Sequence, residues 1–374
     1  MDPLQFRPFY LKLTLILISI ALISGGIYIG KDIIVPFALA LLLAVLLRPV
    51  EQWMIRRGFP KVLAISMAVL LSMAILAGIA ILISIQLSDF TDELPKLKKN
   101  VNDTYREIRR WIRKEFSLSY RQQDQYIQTA QTKTLQNLQS SSAIGLVTSQ
   151  VATLILIPLY AFLLLYYRTM LIHFSIVLFA EKYKEKVLDI LGEIKSVIQS
   201  YMVGLLLETG VVALLNSLGL LLLNVQYAIL LGVMAAILNL VPYIGGLVAT
   251  VLAVLITFIN HPDGFTIVGV VGIFLFVQFL DNNILVPMIV GSKVRMNALA
   301  SIIGVLIGGA LAGISGMFLS IPAIAIMKVI FDRVEGMEPW GILLGDDTPE
   351  SKGSKLFGLK KEDEIVQEEN PPSA

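Results

Sequence analysis

Four apolar runs, 11–29, 62–87, 144–167 and 203–223, are each about as long as a helix needs to be to cross the hydrocarbon core of a bilayer. A shorter run, 33–47, follows the first after only Gly30, Lys31 and Asp32, and the spacing predicts a helical hairpin there. Residues 48–61 then turn basic, with Arg48, Arg56, Arg57 and Lys61. Basic short loops stay cytoplasmic, so this loop is expected inside, and the hairpin carries the N-terminus inside with it, in agreement with Arg7 and Lys12. The polar stretch 88–142 follows the third run and is expected outside. Its apolar positions Leu94, Leu97, Val101, Tyr105, Ile108 and Ile112 recur at helical spacing, so it reads as a helical extracytoplasmic arm that turns near 117–119 and returns. Residues 175–202 read as a cytoplasmic amphipathic helix leading into the fifth run.

Two later stretches, 228–259 and 298–331, are longer than a straight crossing needs, and both contain helix breakers: NLVPYIGG at 239–246 and GGALAGISG at 308–316. Each is either a kinked span or a pair of half-helices turning back. Loop charge separates the two. The loop 260–264 holds no Lys or Arg, whereas 291–297 holds Lys293 and Arg295, and the charge rule then favours two re-entrant hairpins entering from opposite faces. The expected fold is an all-α polytopic membrane protein of about six full spans plus these two interrupted segments. Its expected divisions are an N-terminal hairpin and third span (1–87), the arm (88–142), a fourth span with the amphipathic helix (143–202), a core with broken helices (203–345) and a disordered cytoplasmic tail (346–374).

Composition agrees. The chain is 56% hydrophobic and 16% charged, with a mean hydropathy of +0.77. Soluble domains carry about 25% charged residues. A net charge of +2 gives no reason to expect nucleic acid, and the lack of cysteine excludes disulfides and thiolate metal sites. No cofactor or metal is expected. The chain lacks HExxH, a nucleophile elbow and GxxxxGK[ST], so it does not read as an enzyme or an ATP-driven pump.

The candidate chemistry lies where polar residues interrupt apolar sequence. QFLDNNILVP (278–287) follows the apolar run 265–277 and places Gln278, Asp281, Asn282 and Asn283 at membrane depth, where an aspartate costs about 3 kcal/mol on insertion scales. Pro287 is expected to stop the helix near Asn283 and free backbone carbonyls. Carbonyls and amides beside one carboxylate suit a cation or polyol. The competing reading is that Asp281 only caps the half-helix beyond the break. In 239–246, Asn239, Pro242, Tyr243, Gly245 and Gly246 read as a substrate-facing tip or as a packed kink. Glu208 in the fifth run is a candidate for ion coupling, although its place near the start of the run would let it reach the cytoplasmic surface. His173 and His261 read as interfacial. The pairs Gly304/Gly308 and Gly309/Gly313 read as close-packing small-residue motifs.

The motifs NLVPYIGG, QFLDNNILVP and GGALAGISGMFLSIP, in that order, resemble the autoinducer-2 exporter family of bacterial permeases. The resemblance implies a secondary transporter in the bacterial inner membrane; span parity leaves the C-terminus expected on the cytoplasmic side, like the N-terminus. It implies a homo-oligomer, of which a pentamer is one option, exporting a small polar signal or metabolite with an ion gradient of H+ or Na+. By motif position it singles out Pro242, Gly245, Gln278, Asp281, Asn282 and Pro287. Three functions follow: an exporter of a small polar solute working by alternating access, a sodium(lithium)/proton antiporter using Asp281 and Glu208, or a non-transporting membrane scaffold whose arm binds a partner.

Overall fold

The computed structural model describes residues 9–92, 143–241, 244–260, 263–290 and 296–346. The expected arm beyond Asp92, the tail beyond Asp346, and Pro242, Tyr243, His261, Lys293 and Arg295 lie outside the described residues. Among the described residues the chain is helical throughout, as an all-α membrane protein should be.

Helix α1 (Phe9–Arg56) is one uninterrupted helix of 48 residues. The expected hairpin at 30–32 does not form. A three-residue connection between antiparallel helices needs a residue that leaves helical dihedrals, and Gly30 is not among the glycines with positive φ. The real turn comes at Gly58 (φ 93°), where the amides of Gly58 and Phe59 bond back to the carbonyls of Ile55 and Met54 and close the helix. The inference that the N-terminus shares a face with loop 48–61 depended on the hairpin and goes with it.

Helix α2 (Lys61–Asp92) and helix α3 (Ala143–Tyr166) pack on α1 through Ala40, Ala44, Ile65, Ala68, Ala161 and Leu165, small or branched side chains that bring three helices close together. Lys61 Nζ donates to the carbonyl of Tyr166 and sits over its ring. Helix α4 (Arg168–Val177) leaves α3 at a 65° bend. The expected polar helix then begins at Lys184 and runs without a break into the fifth apolar run as α5 (Lys184–Leu222). Among its buried positions, Val197, Tyr201, Leu205, Glu208, Val212, Asn216 and Leu220 fall three or four residues apart and form one stripe.

The first interrupted segment is a hairpin of two short helices, α6 (Ala228–Asn239) and α7 (Ile244–Asn260), of 12 and 17 residues. Ala228, Leu231 and Ala235 pack on Ala249 and Ala253. Two glycines set the close approaches. A Cβ on Gly232 would run into Ser217 of α5, and one on Gly245 would run into the carbonyl of Leu238. Helix α8 (Gly264–Leu280), capped by Asp263 accepting from the Thr266 amide, leads into the segment Asp281–Val290.

The second interrupted segment, α9 (Ala298–Arg333), also folds back. The helical path breaks at Ala312 (φ −140°, ψ 22°) and Gly313 (φ 62°, ψ −144°). Across this break Gly308 meets Gly316, backbone on backbone, and Gly304 faces Ser320 and Ile324. Residues so far apart in sequence touch only if the arms run antiparallel. By length and apolarity five described helices suffice to cross a membrane, or six with α3 and α4 taken as one, and α9 counts among them although it is doubled over. Gly304 and Gly308 thus do pack closely, whereas Gly313 supplies the left-handed turn.

A Cβ on Gly304 would lie 3.8 Å from that of Ser320, the mean separation in disulfides. In this cysteine-free chain the double variant Gly304→Cys, Ser320→Cys is expected to lose both thiols on oxidation. Maleimide-polyethylene-glycol labelling after oxidation checks it; two reactive thiols would mean that α9 is straight.

Helix α10 (Glu338–Leu344) returns to the start of α9. Asn297 donates through its backbone amide to Leu344 and through Nδ2 to Leu343, while Met296 bridges to Gly345. Arg333 pairs with Asp189 at 2.9 Å and Glu193 at 3.5 Å, and Lys186 with Glu335 at 3.2 Å, tying the end of α9 to the start of α5.

Candidate functional site

The buried stripe of α5 brings Tyr201 and Glu208 towards the meeting point of both hairpins. Asn239 and Leu240 end α6 there, and Gly246 and Thr250 start α7. Gln278 ends α8, with Asp281 and Asn282 in the following turn. Met296, Ser301 and Ile321 come from the α9 hairpin. Together they line a cavity of about 770 Å³. The first hairpin presents its broken tip to this cavity. The second presents its open end, and its break at 312–313 is not on the wall. The first break therefore lies beside Asp281 on the wall, and the second does not.

Asp281 is 3% exposed. Its Oδ2 accepts from Asn239 Nδ2 at 3.0 Å and from Gln278 Nε2 at 3.5 Å, and Gln278 Nε2 lies 3.3 Å from Asn282 Oδ1. A carboxylate only accepts, so these contacts fix the donor ends of both amides. Glu208 is 8% exposed, and its carboxyl interacts directly with that of Asp281. The other polar residues on the wall are Tyr201, Thr250 and Ser301, and no Lys, Arg or His lies among the described lining residues. Two carboxyl groups held together without a basic neighbour call for a proton or another cation.

Pro287 does not break the span. The chain continues from Asp281 to Val290 as a wider π-helix with Pro287 inside it. In an α-helix the proline ring would clash with the carbonyl four residues back; the wider winding shifts that carbonyl and keeps the axis continuous. π-Helical turns of this kind concentrate at functional sites. Asp281 is not an N-cap either: it takes side-chain amides and sits at the C-terminal end of α8.

The pattern of the AI-2E family transporter matches residues 17–336. The chain belongs to the AI-2E transporter family. It is 28% identical over 348 residues to the "AI-2 transport protein TqsA" of Escherichia coli strain K12, covering 90% of this chain and 96% of that one. It is 27% identical over 339 residues to the "Putative transport protein YhhT" of the same strain, covering 90% and 95%. The Bacillus subtilis strain 168 protein YueF, named in the same terms as YhhT, is 25% identical over 309 residues, covering 79% and 82%.

Of the candidates read from the sequence of this AI-2E transporter, Asn239, Gly246, Gln278, Asp281, Asn282 and Glu208 come together on the cavity wall. Glu208 does not reach the surface; it is buried against Asp281. Gly245 is buried in the hairpin turn, away from the wall. Asn283 is exposed and donates to the Phe279 carbonyl, and Pro287 is exposed in the π-helix, so neither lines the cavity. Pro242 and Tyr243 lie outside the described residues. Sequence reading missed Tyr201, Asn216, Thr250 and Ser301. Tyr201, Glu208 and Asn216 are spaced by seven and eight residues, about two helical turns each. That spacing was available as a signal that Glu208 belongs to a polar stripe.

Proposed function

We propose that this AI-2E transporter is a secondary transporter that exports a small polar, hydroxyl-rich solute across the bacterial cell membrane by alternating access. The observation that supports this reading is the 770 Å³ cavity, lined by amides, hydroxyls and carboxyls together with apolar side chains such as Leu205, Leu247 and Phe274. Amide and carboxyl oxygens accept from hydroxyl groups, and the lack of basic groups among the described lining residues disfavours anions. The name of TqsA supports a solute of the autoinducer-2 kind. The basic ends of α1 and α9, with Arg56, Arg57, Lys328 and Arg333, support a cytoplasmic placement for that side of the bundle. Export and assembly as a homo-oligomer, a pentamer included, belong to this proposal.

Flux from proteoliposomes tests it. Neutral or cationic hydroxylated solutes are expected to cross faster than in protein-free vesicles, and carboxylated or phosphorylated analogues are not. No flux for any member of such a panel would remove the reading.

The Glu208–Asp281 pair favours a second reading, sodium(lithium)/proton antiport, in which a proton and a metal cation alternate on the same carboxyl pair. The scaffold reading has no comparable support, because a scaffold has no use for paired carboxyl groups buried beside a cavity.

A further inference from the structure

We propose that a second, smaller chamber beside Asp281 binds one dehydrated monovalent metal cation, with Asn216 as a ligand, at a site that adjoins the solute cavity and shares Asn239, Gly246, Gln278 and Asp281 with it. The chamber measures about 10 Å³, room for a single water-sized body. Asn216, Asn239, Gly246, Gln278 and Asp281 all line it. Asn216 and Asp281 are each 3% exposed; Asn216 Oδ1 meets no hydrogen-bond donor among the described residues, and Asp281 Oδ1 meets none while Glu208 is ionised. A buried unsatisfied oxygen costs about 1–3 kcal/mol, so two such residues lining one hollow point to something that fills it.

The polarity of the wall says what fills it. The NH2 groups of Asn239 and Gln278 are spent on Asp281 Oδ2. Their carbonyl oxygens consequently turn towards Gly246: Gln278 Oε1 lies where a Cβ of that glycine would be, and Asn239 Oδ1 is 3.5 Å from the same point. Four of the residues that line the chamber, Asn216, Asn239, Gln278 and Asp281, thus each have an acceptor oxygen to offer it. A water has two hydrogens to offer four acceptors, whereas a metal cation accepts electron density from all of them. One carboxylate among neutral amides balances a single positive charge. Divalent ions want more: no group of three or more acidic, His or Cys side chains suited to a metal exists among the described residues. The carboxyl of Glu208, which lines the larger cavity and not the chamber, offers a proton as the alternative partner.

The site takes its use as a coupling or exchanged ion from the transporter reading, but binding is measurable without transport. Detergent-purified protein is expected to bind one radiolabelled sodium ion per chain at equilibrium, displaced by LiCl and not by choline chloride at equal ionic strength. Asn216→Leu, which keeps the branching and the number of side-chain heavy atoms and removes the oxygen, should weaken binding by about tenfold or more. Asn216→Asp, which keeps the oxygen and adds charge, should retain or tighten it. Sodium binding no greater than the choline background, or equal affinity in Asn216→Leu, would overturn the proposal in favour of a water. Should the leucine variant not fold, weaker binding in Asn216→Asp would overturn it equally. Protein that binds sodium but moves no panel solute keeps the ion site and loses the solute cavity; solute flux without sodium binding does the reverse.

Discussion

Asp281→Asn is expected to make the protein more heat-stable and less active. The substitution keeps the shape but removes a charge that faces Glu208 and has no basic partner among the described residues lining the cavity. Charges at membrane depth carry a penalty of about 3 kcal/mol on insertion scales, so the melting temperature in detergent should rise. Transport should fall for the same reason. Asn239 and Gln278 would then face a side chain with one acceptor oxygen instead of two, and a solute or ion would meet no carboxylate. A hydrogen bond to a charged group contributes about 1.5–3 kcal/mol, so a bound solute should lose about 10- to 100-fold in affinity. Sodium/proton exchange, if that is the activity, should vanish outright, because an amide does not titrate. Side-by-side proteoliposome assays of solute flux and sodium-driven proton movement separate the two readings. Wild-type rates in every assay would show that the carboxyl group has no part in transport.

Gly308→Val should unfold the second hairpin. In the folded protein Gly308 touches Gly316 backbone to backbone, so even one added carbon forces the arms apart. The two nearest atoms are main chain, with the Ser320 hydroxyl next at 3.0 Å. Overpacking costs about 1–3 kcal/mol where neighbours can shift, and more is expected against main chain. Separation of the arms would also move Ser301 and Ile321, which line the cavity. Gly25→Val is the matched control, since a Cβ there meets nothing within 4 Å. Size-exclusion profiles and thermal scans of both variants decide the matter: the control should resemble wild type, and Gly308→Val should aggregate or melt well below it. Equal behaviour would mean that the arms do not touch.

Much of this fold is legible in the hydropathy pattern because membrane helices must satisfy their own backbone and therefore appear as long apolar runs. The two interrupted segments show in the sequence because glycines and a proline cluster where the chain reverses. The reversal at 312–313 is readable from Gly313, the position that takes up a left-handed φ. The misplaced hairpin at 30–32 has the opposite lesson. Gly30 followed by two charged residues looks like a turn, but within a long helix each is tolerated, and only tertiary contacts decide. At the site, Asp281 and its amide neighbours were legible as polar residues in apolar surroundings. Their partners were less so. Glu208 and Asn216 reach Asp281 through packing of α5 on the hairpin, and such pairing across more than sixty residues leaves no local trace. Pro287 was read as a stop because α-helical rules apply that penalty; a π-helix escapes it.

The length of α1 has a mechanical meaning. Its buried positions run from Pro36 to Met54, while Phe9 stands about 40 Å further along the axis at ~1.5 Å per residue. A rotation of a few degrees where the rod is gripped becomes a sweep of several ångströms at its free tip. A spin label or fluorophore near Tyr10 is therefore well placed as a pointer, amplifying small rearrangements around the grip into distances that spectroscopy resolves.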